Sequence, residues 1–101
     1  MIPFESFTLD NGLKVIVHED HSTPMAAFNL LYKVGARDEH PEKTGFAHLF
    51  EHLMFMGTKQ IPEGQFDSLM EQNGGQNNAS TGDDRTNYYE YSRDLFSYAY
   101  V

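Results

Sequence analysis

The chain contains no cysteine. Disulfides and thiolate metal sites are therefore excluded, and any metal must be held by histidine, aspartate or glutamate. The same absence leaves the compartment open. Basic side chains are scarce too. Seven Lys and Arg stand against fifteen Asp and Glu, a formal net charge of −8. Nucleic-acid phosphates need a basic face, and an anionic membrane surface attracts basic segments, so neither partner is expected. Tyr88, Tyr89 and Tyr91 fail as a base-stacking platform on the same count, because such platforms sit in a basic groove. No apolar run approaches the length of a membrane span. The opening segment MIPFESF has neither a charged n-region nor an apolar h-region, so no signal peptide is read there. Repeats, low-complexity tracts and linkers are also lacking, and 101 residues fit one small domain at most. A chain this short hides only about two-thirds of its unfolded surface, which keeps stability modest without a partner.

What is present divides into strands and helices. FTLDNGLKVIVHED reads as two short strands around a turn at Asp10-Asn11-Gly12, residue types that tolerate positive φ. Leu13, Val15 and Val17 alternate with Lys14, Ile16 and His18, as a strand requires. Met25 to Ala36 is a nearly continuous apolar run, which predicts a central strand covered on both faces. Thr44 is placed to cap a helix that starts near Gly45 and runs to Gly57. Its residues Phe46, Leu49, Phe50, Leu53 and Met54 form a broad apolar face. A second helix opens at Pro62 and Glu63, carries Phe66, Leu69 and Met70 as its stripe, and ends at Asn73-Gly74-Gly75. QNNASTGDDRTNYYEYS predicts a hairpin with its turn at Gly82–Arg85 and a Tyr-rich strand from Thr86 to Ser92. RDLFSYAYV starts a third amphipathic segment. Together these pieces predict an α+β fold, a mixed or antiparallel sheet with helices packed on one face.

Within the first helix lies HLFEH, with His48, Glu51 and His52 at positions i, i+3 and i+4. That spacing puts all three on one side of a helix. Two neutral imidazoles one turn apart can reach a single zinc ion. Glu51, beside them but angled off, suits a base that takes a proton from water. Such a set hydrolyses a peptide bond when zinc polarises the carbonyl. The alternative is an ordinary amphipathic helix with two solvated histidines. Catalytic zinc takes three protein ligands, and by residue type His18, His21 and His40 are the remaining histidines. All three lie in polar loop or strand-end settings that suit solvated side chains.

TGFAHLFEHLMFMGT resembles the inverted zinc motif of the pitrilysin/insulin-degrading-enzyme family, the inverzincins. LDNGLKVIVHEDHSTPMAAFNLLYKVGARDE resembles the family's opening strands, and GGQNNASTGDDRTNYYEYS its strand pair after the motif helix. The resemblance covers roughly residues 4 to 96. It implies that His48 and His52 are zinc ligands, that Glu51 is the general base, and that the cofactor is zinc. It also implies that Asn78, Ala79 and Ser80 form a strand edge on which a peptide or protein substrate adds as a further strand. Family members take the third ligand from a glutamate on a later helix, farther along than the 49 residues that follow His52 here. They also pair this half with a second, similar half that closes over the substrate. Residues 1–101 are therefore expected to be a single partial domain, the first portion of a metallopeptidase catalytic half, inactive alone. A different expectation is a non-catalytic module of the same fold that assembles or holds peptides. Either way, open strand edges and uncovered apolar surface predict homo-oligomers or a strand-exchanged dimer.

Overall fold

The computed structural model describes residues 1–93. Strand β1 (Glu5–Thr8) and strand β2 (Lys14–Val17) pair antiparallel as an isolated two-stranded sheet, with Glu5 opposite Val17 and Thr8 opposite Lys14. The Asp10–Gly12 turn forms as expected, closed by hydrogen bonds from Gly12 N to Leu9 O and from Leu9 N to Leu13 O, both 2.9 Å. Strand β3 (Ala26–Tyr32), strand β4 (Gln76–Thr81) and strand β5 (Thr86–Ser92) form a second antiparallel sheet in the order β3-β5-β4. The β4–β5 hairpin turns where the sequence places it, with Gly82 N donating to Arg85 O at 2.8 Å and Thr81 opposite Thr86.

The fold class is α+β, as the sequence pattern implies, but two expectations need correction. β3 is an edge strand among the described residues, and β5 is the central one. An apolar run records that both faces of a strand tolerate burial, not that both are covered. Leu31 on β3 is 48% exposed. The second correction concerns the first helix. Helix α1 spans Phe46–Leu53 and stops short of Gly57. Past Leu53 the chain tightens into three-residue spacing, with Met54 N, Phe55 N and Met56 N donating to Glu51 O, His52 O and Leu53 O at 3.3, 3.1 and 3.1 Å. Helix α2 (Gln65–Gln72) lies between Pro62, whose carbonyl accepts from Gln65 N at 3.1 Å, and Asn73. The third amphipathic segment lies, apart from Arg93, outside the described residues.

Strand register decides which side chains meet the helices. Thr86, Tyr88, Glu90 and Ser92 share one face of β5. Opposite them stand Tyr32, Leu30, Phe28 and Ala26 on β3, and Thr81, Ala79 and Asn77 on β4. Both helices lie over this face. Asn77 Nδ2 donates to Asp67 Oδ1 of α2 at 3.1 Å, and Thr81 Oγ1 donates to Glu51 Oε2 of α1 at 2.7 Å. The other face carries Tyr89, Tyr91 and Leu31 and is open. Among the described residues Met70 is the one buried large apolar side chain, while Glu51, Thr86, Glu90 and Ser92 are buried polar ones.

Candidate metal centre

Helix α1 is set in place by a carboxylate outside it. Gly45, not Thr44, is its N-cap, with φ 86° and no side-chain hydrogen bond. A residue with a side chain is strained at such a φ, so glycine suits the position. The first helical N–H groups instead find Glu39. Its Oε2 accepts from Gly45 N and its Oε1 from Ala47 N, each at 2.8 Å. A negative charge at a helix N-terminus also complements the macrodipole. Glu39 follows a 3₁₀ turn, Ala36–Asp38, that is docked on the hairpin. Ala36 N donates to Gly82 O at 3.0 Å and Arg37 N to Asp83 O at 2.8 Å. Gly35 makes that approach feasible, because a Cβ there would collide with the Gly82 and Asp83 backbone. The hairpin turn, the 3₁₀ turn and α1 are thus tied in one chain of contacts.

On α1 the predicted trio does share a side. The His48 and His52 rings lie 4.6 Å apart between centroids, tilted by 34°. His48 Nε2 stands 4.0 Å from Glu51 Oε2. Neither imidazole is engaged in a hydrogen bond among the described residues, and both are exposed, so their nitrogens are open to a ligand. Glu51 is the opposite case. It is 7% exposed, and the Thr81 hydroxyl holds one of its oxygens. The helix's apolar face is half open, with Phe46, Leu49, Phe50 and Leu53 all more than 40% exposed. Burial on α1 thus falls on the carboxylate rather than on the apolar stripe, because β4 covers that side.

Tyr88 lies close by. Its phenol is pushed above the ordinary tyrosine value, first by burial and then by the Glu51 and Tyr32 charges. Its ring meets Tyr32 edge-on at 6.0 Å and Phe55 at 6.2 Å.

No group of three His, Asp or Glu side chains able to hold a metal occurs among the described residues. His18 Nδ1 donates to the Pro3 carbonyl at 2.6 Å, His40 Nδ1 accepts from Glu42 N at 3.3 Å, and His21 is exposed. The donor set therefore fits zinc in kind, with two free imidazoles a helical turn apart, but fills two of three positions.

Asn78, Ala79 and Ser80 lie mid-strand on β4, an edge strand of the described sheet. Asn78 Oδ1 accepts from Ala79 N at 2.8 Å, and Ser80 Oγ accepts from Arg85 Nη1 at 3.1 Å. Asn78 thus satisfies its own strand. Two residues were not singled out from the sequence. Thr81 shares the helix-facing parity of Asn77 and Ala79, a signal that alternation along β4 contains. Glu39 stands six positions before Gly45 and carries no local signature.

The helix presents two imidazoles and a carboxylate on one side and lies over an antiparallel sheet. Comparison with known proteins defines the class. Residues 14–94 match the family described as insulinase (peptidase family M16), and the chain belongs to that family. It is 45% identical over 86 residues to a zinc protease, PqqE, of Helicobacter pylori, covering 84% of this chain and 19% of that protein. It is 32% identical over 87 residues to human insulin-degrading enzyme, covering 85% of this chain and 8% of the enzyme. The fold superposes on the crystal structure of a protease from Helicobacter pylori with a TM-score of 0.83 at 41% identity, covering 89% of this chain and 22% of that one. Pitrilysin gives a TM-score of 0.83 at 28% identity, over 94% of this chain and 10% of its own. The chain spans at most about a fifth of the length of these relatives.

Proposed function

We propose that this chain is the part of a zinc endopeptidase that supplies two metal ligands and the general base. His48 and His52 hold the metal, and Glu51 moves the proton. The observation that carries this reading is the one-sided set itself. Two free imidazoles lie 4.6 Å apart, with the Glu51 carboxylate 4.0 Å from His48 Nε2. Zinc, when bound, supplies a Lewis acid for the scissile carbonyl and makes water acidic near neutral pH. Thr81 holds Glu51 Oε2, the oxygen that stands 4.0 Å from His48 Nε2, and so orients the carboxylate that takes the proton of the attacking water. The same carboxyl then delivers a proton to the leaving amine.

The substrate is a peptide or protein segment in extended form. It adds to the β4 edge at Asn78, Ala79 and Ser80, where main-chain hydrogen bonds give affinity. Asn78 exchanges its bond to Ala79 N for one to the incoming strand.

Two imidazoles are one ligand short of a catalytic zinc. The 101-residue chain alone is expected to bind zinc weakly and to cleave nothing, the third ligand and the closing half coming from elsewhere. Zinc titration of the purified chain is the direct test, with binding in the micromolar range expected. His48→Ala or His52→Ala should abolish it. An alanine variant that titrates like the parent would remove the metal from the reading.

The open apolar side of α1 supports a second reading, a non-catalytic module that assembles with a partner or holds peptide. The exposed Phe46, Leu49, Phe50 and Leu53, with β4 an edge strand among the described residues, support self-association or strand exchange in the isolated chain. Sedimentation across a concentration series is expected to show species larger than one chain. A monomer throughout would sink this point.

A further inference from the structure

We propose that Thr81 is the positioning residue for the Glu51 base, so that the strand edge on which the peptide seats also aims the proton-accepting carboxylate. This rests on the reading of Glu51 as the base. The hydroxyl donates to Glu51 Oε2 at 2.7 Å, in the range of charge-assisted O–H···O⁻ bonds. It is the one hydrogen bond that Glu51's side chain makes among the described residues, and Glu51 is 7% exposed, so water does not replace it easily. The bond joins positions 30 apart in sequence, a helix to a sheet edge.

Three features hold the donor still. Threonine is branched at Cβ, which restricts its χ1 within a strand. Thr81 stands opposite Thr86, whose own hydroxyl donates to Val34 O at 3.0 Å. The next residues, Gly82 and Asp83, accept from Ala36 N and Arg37 N. Thr81 is therefore anchored at the hairpin end of β4, one residue beyond the segment Asn78-Ala79-Ser80. Pinning Oε2, the oxygen 4.0 Å from His48 Nε2, fixes the orientation of the carboxylate beside the imidazoles. A base that swings loses the near-attack geometry, and an error of about 1 Å costs roughly 100-fold.

The test compares Thr81→Val, which keeps the shape and removes the hydroxyl, with Thr81→Ser, which keeps the hydroxyl. Both are made in the whole protein that carries this sequence. For Thr81→Val, kcat for peptide cleavage is expected to fall roughly 10- to 100-fold. KM and zinc affinity by titration should stay within about twofold of the parent. Thr81→Ser should recover most of kcat. A second readout needs no activity. In thermal melts, Thr81→Val and Glu51→Ala should shift the midpoint less together than the sum of their separate shifts, because each removes one partner of the same bond. Additive shifts, an undiminished kcat in Thr81→Val, a Thr81→Ser as impaired as Thr81→Val, or lost zinc in Thr81→Val would each overturn the proposal. Glu51→Gln run in parallel separates the failures. If it still cleaves, the base assignment falls and this inference with it. If it is inactive while Thr81→Val is unimpaired, only Thr81 loses its role.

Discussion

Three glutamates in this small chain sit in three different environments. Glu39 is partly buried and accepts two backbone N–H groups at the start of α1. Glu51, 7% exposed, accepts one hydroxyl and stands beside two imidazoles. Glu90, 5% exposed, has an oxygen with no hydrogen-bond partner among the described residues, and burial pushes its carboxyl above the ordinary range. Burial alone therefore does not mark function. Glu51 and Glu90 are about equally hidden, and what separates them is the company each keeps. A held oxygen and two neighbouring imidazoles set Glu51 apart, whereas Glu90 faces the helices with an oxygen that finds no donor among the described residues.

The largest effect belongs to Glu51. In the whole protein, Glu51→Gln is expected to keep zinc and lower peptide cleavage by roughly 10²- to 10⁴-fold, the usual contribution of a general base. At 1.36 kcal/mol per tenfold, that is about 3–5 kcal/mol of barrier. Glu90→Gln should leave cleavage at the parental rate. The two assays together sharpen the contrast, and equal rates in both variants would erase it.

Glu39 comes next, and its effect is on stability. Glu39→Ala takes the acceptor from two N–H groups at the first turn of α1. Loss of a helix N-cap acceptor typically costs about 1 kcal/mol. For a domain near 100 residues that lowers the melting temperature by roughly 4–8 °C. Glu39→Gln keeps one carbonyl acceptor and should lose about half as much. A melting point unmoved by Glu39→Ala would mean that water caps the helix equally well.

Much of this was legible in the chain. The Asp10–Gly12 and Gly82–Arg85 turns, both helices and the shared side of His48, Glu51 and His52 follow from local patterns of period two and 3.6. What was not legible is long in sequence. The Glu39 cap reaches six and eight positions ahead, and the Thr81–Glu51 bond spans thirty. Nor does an apolar run say whether its strand is central, since it encodes what both faces tolerate and not what lies against them. Gly35 lies next to the end of such a run, Met25 to Ala36. Its need for glycine comes from the hairpin backbone more than forty residues on.

Glu90 yields the smallest effect, and its sign is the sharpest check on the contrast. Desolvation raises its folded-state value above that of the unfolded chain, so the folded chain holds the proton more tightly. The stabilisation tied to that proton is complete below the unfolded value and is lost as pH rises through the raised folded one. Glu90→Gln removes the ionisation. Thermal melts should therefore show variant and parent close together in acid, with the variant gaining by a few degrees toward neutral pH. A gap that stays constant across the same series would mean that Glu90 finds a partner for its charge. The difference between the two buried carboxylates would then lie in the imidazoles beside Glu51 alone.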